Sequence, residues 1–466
     1  MPSTPGQVPS SVVVVGAGLA GAQTSAALRQ HGFEGHLTVL GAEGLPPYDR
    51  PPLSKELLKR TEPVWLADDL GIDLPALVDD LRLADPATRL EADREQVVVR
   101  TASGDDVMAD AVVLACGSAP LRPAGWDAAM TLHTAGDAER LRAAAVPGTR
   151  IVVVGAGWIG AEVAGVAAGA GAQVTVVEAG PVPLERQLGR HVGGLLAPWY
   201  DAAGVTLVTD VAVEKVLPGP AGDTPGGGSV VLADGRVLEA DLVLAAVGAR
   251  PASGWLAGSL PLESNGGLRV NRAGRLTGLH SPTDPAGRLH LDALRRVWAV
   301  GDIATREHPV FGPVPGGHWS AALHDPEVTV RALLGLDERA AEPEHVRERL
   351  GLAPITSHAP YVFSQQLGHD LALFGVPSPF DEVVLRGTPT ASGGWAALYL
   401  ENALDRHPRR TPEGHRVATV RAVLLVDSPR EVGQVRKLMN RGVPLTVDLE
   451  RALDPTVKLK DAVFRP

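Results

Sequence analysis

SVVVVGAGLAGAQTSAALRQHGFEGHLTVL, Ser11–Leu40, opens on a β-branched run with no polar alternation. Such a run fits a parallel strand covered on both faces. GAGLAG follows, with Gly16, Gly18 and Gly21, and AQTSAALRQHG then predicts a helix ending at Gly32. HLTVL, His36–Leu40, reads as the next strand. The whole is a βαβ unit of about thirty residues. In that setting the first glycine permits a tight turn and the second lets a pyrophosphate approach the backbone. The third lets helix and strand pack closely. The helix start adds free N–H groups and a positive dipole end. A glycine-rich turn without a ligand is the plain alternative, and the flanking strand and helix argue against it.

The pattern returns in RIVVVGAGWIGAEVAGVAAGAGAQVTVVE, Arg150–Glu178, with Gly155, Gly157 and Gly160. Gly16 and Gly155 stand 139 positions apart, one domain length and not a short-period repeat. Glu178 closes the second strand, 23 residues past Gly155. A carboxylate there accepts from the adenosine ribose hydroxyls and repels a 2′-phosphate. Ala179 and Gly180 supply no arginine, so NADH is favoured over NADPH, with Arg186 leaving some NADPH use open. In the first unit Gly41 takes the equivalent place, and Glu43, two further on, is assigned to the ribose.

Length and composition bound the rest. The 466 residues give room for about three domains. The net charge of −11 argues against a nucleic-acid partner. One cysteine, Cys116, excludes an internal disulfide, a four-cysteine metal site, an internal iron–sulfur cluster and a redox dithiol. No metal site is expected. No stretch approaches 18 uninterrupted apolar residues, so no membrane span is expected. The Pro- and Ser-rich start lacks a signal-peptide pattern, which suggests a disordered lead and a cytoplasmic protein.

Further strands are expected at Gln96–Arg100, Ala111–Ala115, Ser229–Leu232, Asp241–Ala246 and Arg296–Asp302. Pro218–Ser229 is rich in turn residues. Glu338–Leu350 is charged and helical in composition and reads as a linker or bridging helix. Beyond it, the strand Val417–Val426 and the helix Pro429–Asn440 suggest an α+β domain.

PPYDRPPLSK, Pro46–Lys55, is only a proline-rich loop by periodicity. Together with the two glycine motifs, LACGS at Leu114–Ser118 and AVGD at Ala299–Asp302, it resembles the FAD-dependent pyridine nucleotide oxidoreductases. Within them the chain looks most like the ferredoxin, putidaredoxin and rubredoxin reductases. The resemblance covers nearly the whole chain and is strongest through Asp302. It implies an α/β protein with two Rossmann-like domains, an NAD domain inserted in an FAD domain, and an α+β C-terminal domain. The boundaries expected are 1–122 and 252–337 for the FAD domain, 123–251 for the NAD domain and 338–466 for the last. It further implies that Gly16, Gly18 and Gly21 hold the pyrophosphate of non-covalent FAD. Arg50 and Lys55 line that site, and Asp302, with the turn at Gly301, bonds the ribityl–phosphate stretch. Gly155, Gly157, Gly160 and Glu178 hold NADH.

By the same resemblance Lys55 and Glu162 meet beside the flavin N5, the ammonium stabilising arriving electron density and the carboxylate offsetting its desolvation. Two unrelated surface charges, or a Glu162 that complements the helix dipole, are the alternatives. Cys116 reads as packing. Relatives that relay electrons through thiols carry cysteines at positions where this chain has none, so the electrons must leave to an external carrier.

Two segments depart from the family pattern. In GGHWSAALHDP, Gly316–Pro326, Trp319 and Ala322 remain, while Gly317, Ala321, Asp325 and Pro326 replace the usual Glu, Asn, Gln and Gly. In PYVFSQQLG, Pro360–Gly368, Phe363 and Gln365 take the places of Trp and Asp. The segment Thr277–Arg295 is longer than usual. Residues 401–466 carry 13 Lys plus Arg against 9 Asp plus Glu, on a remainder at −15. That basic end suits an acidic ferredoxin. Arg406, Arg409, Arg410, Arg436, Lys437 and Arg441 are candidate contacts, with an ordinary solvated face as the alternative.

The expectation is an NADH-dependent FAD reductase serving a small iron–sulfur protein of a P450 or other oxygenase. An NADH oxidase or small-molecule reductase of this fold is one rival. A redox-dependent binding flavoprotein like apoptosis-inducing factor is the other.

Overall fold

The computed structural model describes residues 8–219, 227–277, 294–337, 357–389, 393–401 and 409–464. Most of the Thr277–Arg295 segment, the centre of the Pro218–Ser229 loop, the Glu338–Leu350 linker and Arg406 lie outside the described residues. The chain divides into two compact units, one formed by Met1–Asp49, Val64–Ala119 and Arg250–Pro360, the other by Arg50–Pro63, Pro120–Ala249 and Tyr361–Pro466.

The first unit is built on a five-stranded parallel sheet. Its order is Val297–Ala299, Ala111–Leu114, Ser11–Val15, His36–Leu40, Asp80–Arg82. Val14 lies in register with Val39 on one side and Val113 on the other. The unbroken valine run has a simple cause, because alternate side chains enter different cores. Val12 and Val14 pack with Leu28, Trp298 and Val330. Val13 and Val15 pack on the opposite face with Leu90, Val99 and Leu268. The first face is covered by the helices Leu19–Gln30 and Trp319–Leu333. The second is covered partly by the antiparallel strands Ala87–Ala92, Val97–Thr101 and Asp106–Ala109.

The second unit repeats the plan. Its parallel sheet runs Thr206–Val208, Gln173–Val177, Arg150–Val154, Leu242–Ala245. Ile151 and Val153 face the helix Trp158–Gly169, while Val152 and Val154 face Val216, Val230 and Leu232 of an antiparallel meander. In chain order these strands fall between Ala111–Leu114 and Val297–Ala299 of the first sheet, so the second dinucleotide fold is an insertion in the first. The C-terminal part adds a six-stranded antiparallel sheet. Its strands Tyr361–Gln366, His369–Gly375, Val417–Val426, Trp395–Leu400 and Glu382–Arg386 lie in that order, and Leu445–Asp448 pairs with Val417–Val426. Leu371, Leu373 and Leu424 pack with Leu188 and Val192 of the helix Glu185–Leu196. Tyr399 donates its hydroxyl to the Leu188 carbonyl at 2.8 Å. The chain is thus α/β with two Rossmann-like folds and an α+β C-terminal part. Among the described residues no helix is long and apolar enough to cross a membrane.

Candidate functional site

The three glycines of the first motif have three different surroundings. Gly16 adopts φ +116°, outside the range of L side chains. A side chain on Gly21 would stand 1.8 Å from the Gly16 carbonyl oxygen, so only glycine lets the helix lie against the strand end. On Gly18 it would meet nothing within 4 Å, and no side chain caps the helix that starts there. The open direction therefore lies where backbone N–H groups are free to bind an anion. These residues fit the pyrophosphate of a dinucleotide.

Other expected residues of the first unit cluster in three places. Gly301, at φ +68°, leads into Asp302, whose carboxylate accepts from the Gly317 N–H at 2.9 Å and the Ser118 hydroxyl at 3.1 Å. Trp319 donates its indole N–H to Asp49 at 2.8 Å. Tyr48 donates its hydroxyl to Glu43. One ion pair escaped the sequence reading. Arg306 meets Asp325 at 3.1 Å and also donates to Thr329 at 2.7 Å, tying the strand Ala304–His308 to the helix Trp319–Leu333. No spacing signals it, because strand and helix meet only in the fold.

In the second unit, Gly155 has φ +103° and a side chain on Gly160 would stand 2.0 Å from the Gly155 carbonyl oxygen. Gly157 is again open, its nearest neighbour being the Ala246 carbonyl oxygen at 3.9 Å. Glu178 accepts from the Ala156 N–H at 2.7 Å and the Gly180 N–H at 2.8 Å. The carboxylate is thus fastened to the glycine loop itself, with lone pairs left for a ribose.

Lys55 and Glu162 also belong to this unit, and Nζ lies 2.9 Å from the carboxylate. Glu162 is 2% exposed and Lys55 12%. A carboxylate so buried needs more than one partner. Ser54 donates to its second oxygen at 2.5 Å, and Ser364 donates to the first. Phe363 lies under the ammonium, with Nζ 4.8 Å from the ring centre. The serines were missed in the sequence, although Ser54 directly precedes Lys55. Arg50 donates to the His133 carbonyl.

Cys116 donates its thiol to the Val15 carbonyl at 3.4 Å, and burial pushes the thiol up to about 12. It is no thiolate at neutral pH. Of the basic candidates, Arg436 sits 4.9 Å over the Tyr361 ring and Arg409 5.8 Å over Phe464. Arg436, Lys437 and Arg441 are exposed.

Residues 10–323 match the family model described as pyridine nucleotide-disulphide oxidoreductase. The chain belongs to that family. Within it, this oxidoreductase is of the ferredoxin-reductase type. It is 30% identical over 458 residues to the ferredoxin–NAD(+) reductase component of an anthranilate 1,2-dioxygenase system from Burkholderia cepacia, covering 96% of this chain and 98% of that one. Among solved structures it is 34% identical to Fdr9, with a TM-score of 0.77 over 96% of this chain and 99% of the other. The putidaredoxin reductase of a covalent complex with putidaredoxin is 25% identical, with a TM-score of 0.78 and 97% of each chain covered.

Proposed function

We propose that the protein takes electrons from NADH and passes them through FAD to a small iron–sulfur protein, a ferredoxin that serves an oxygenase. The observation that carries this reading is the pair of open glycine cradles in a chain whose one thiol, on the half-buried Cys116, is protonated and bonded to the Val15 carbonyl. Without a thiol relay, the electrons have only an external acceptor. Relatives named as ferredoxin reductases of oxygenase systems support the choice of acceptor.

FAD, when bound here, would supply the capacity to accept a hydride and release electrons singly. The chain's own residues bind and orient. Gly16, Gly18 and Gly21 receive the FAD pyrophosphate, and Asp302, held by Ser118 and Gly317, accepts from the ribityl hydroxyls. Glu43 would line the same site, with Trp319 fixed by Asp49 at its edge. Gly155, Gly157, Gly160 and Glu178 receive NADH. Lys55, anchored by Glu162, is the positive charge that would stabilise electron density on a bound flavin. The FAD domain comprises 1–122 and 252–337, the NAD domain 123–251 and the C-terminal domain 338–466. The ferredoxin docks on the basic C-terminal face, around Arg436, Lys437 and Arg441, and the site of action is the cytoplasm, where NADH is made.

The purified protein should be yellow. Gly18→Ala should fold yet lose flavin colour, since its methyl meets no protein atom but fills the cradle. NADH should reduce cytochrome c rapidly only when a ferredoxin is added. Rapid oxygen consumption without ferredoxin would favour an oxidase, and slow NADH-driven dimerisation would favour a binding flavoprotein. A colourless wild type that takes up no FAD would end the proposal.

A further inference from the structure

Gly180 has two carboxylates over it. A side chain built there would stand 3.3 Å from a Glu178 oxygen and 3.0 Å from a Glu185 oxygen. The two carboxylates thus lie within about 6 Å of each other on one short loop. Glu178 faces the glycine loop through its bond to Ala156. Glu185 is brought to the same place by its predecessor. Leu184 is buried at 2% exposure and holds a left-handed φ of +53°, unusual for a leucine. Its N–H donates to the Ala156 carbonyl at 3.1 Å. One residue of the dinucleotide loop, Ala156, therefore fastens both acids, Glu178 through its N–H and Glu185 through its carbonyl and Leu184.

We propose that Glu185 is a second determinant of coenzyme choice, a carboxylate held beside Glu178 that repels the 2′-phosphate of NADPH. This rests on the reading of the Glu178 loop as the NADH site. Glu178 alone can both accept from a ribose and repel a phosphate. Glu185 opens the helix Glu185–Leu196. Against a phosphate carrying close to two negative charges, a half-exposed carboxylate adds repulsion worth about a factor of ten. Arg186, exposed next in sequence, could pair with that phosphate once its neighbour is neutral.

The test is flavin reduction by NADH and by NADPH, followed at the flavin band in Glu185→Gln, Glu185→Asp and the wild type. Glu185→Gln should raise the NADPH-to-NADH ratio of kcat/KM about tenfold. The gain should lie in KM for NADPH, and high salt should shrink it. Glu185→Asp should keep the wild-type ratio. An unchanged ratio in Glu185→Gln overturns the proposal. So does an equal change with both coenzymes, which is what a purely structural role would give. If neither coenzyme reduces the wild-type flavin, the NADH reading itself falls, and this inference with it.

Discussion

At the scale of single residues, the Lys55–Glu162 pair illustrates what a sequence conceals. The two lie 107 positions apart, one in a proline-rich turn and one in a helix. No periodicity joins them; only the likeness of PPLSK to known reductases suggested that they meet. The structure sets them 2.9 Å apart in a site almost closed to water. A buried pair adds little net stability, but an orphaned partner is costly. Lys55→Met should leave Glu162 with serine donors alone and destabilise the protein by about 3 kcal/mol in urea titrations. Lys55→Met/Glu162→Gln should recover most of that loss. Flavin reduction by NADH should be slowed in both variants. If the double variant reduces its flavin at the wild-type rate, the pair is structural only.

At the scale of elements, the parallel strands were legible because a sheet buried on both faces leaves an unbroken apolar run in the sequence. Ala111–Leu114, Arg150–Val154 and Leu242–Ala245 all show it. The hairpin Tyr361–Gln366 to His369–Gly375 was not legible, since its turn uses Leu367 at φ +52° ahead of Gly368 and carries no standard turn pair. The strand Ala304–His308 ends in another unsignalled feature. His308 accepts at Nδ1 from the N–H groups of Val310 and Phe311 at 3.1 and 3.3 Å, so its proton sits on Nε2. Burial pushes its pKa down to about 4, against about 6.5 in the unfolded chain. Between those values the unfolded state binds the extra proton. The stability held by the neutral ring is therefore complete above about pH 6.5 and lost as pH falls toward 4, at most about 3 kcal/mol. Urea midpoints at pH 7 and 4.5 should show this loss in the wild type. The loss should shrink in His308→Asn, which keeps an acceptor and cannot be protonated. An equal loss in both would assign the acid sensitivity to other groups.

At the scale of the whole molecule, the charge is unevenly distributed along the chain. Residues 401–466 carry a surplus of four positive charges, while the remainder is strongly acidic. The total was legible from counting, but where the cations stand was not. The helix Pro429–Met439 ends in Arg436 and Lys437, both exposed, with Arg441 following and Val443 half exposed beside them. Among the described residues Arg436, Lys437 and Arg441 make no ion pair with an acid, so their charges remain available to an acidic partner. Charges of this kind raise the rate of encounter more than the affinity, and salt screens them over about 8 Å at physiological strength. Ferredoxin-dependent cytochrome c reduction should therefore slow steeply between low and high salt. Reduction of the flavin by NADH should change little. Arg436→Glu/Lys437→Glu should raise the KM for ferredoxin about tenfold at low salt and flatten the salt dependence, with flavin reduction unaltered. The helix lies on the C-terminal sheet through Val435, Leu438 and Met439, which the substitutions leave intact. A double variant with wild-type KM and wild-type salt response would move the docking surface elsewhere while leaving the two nucleotide folds as they are.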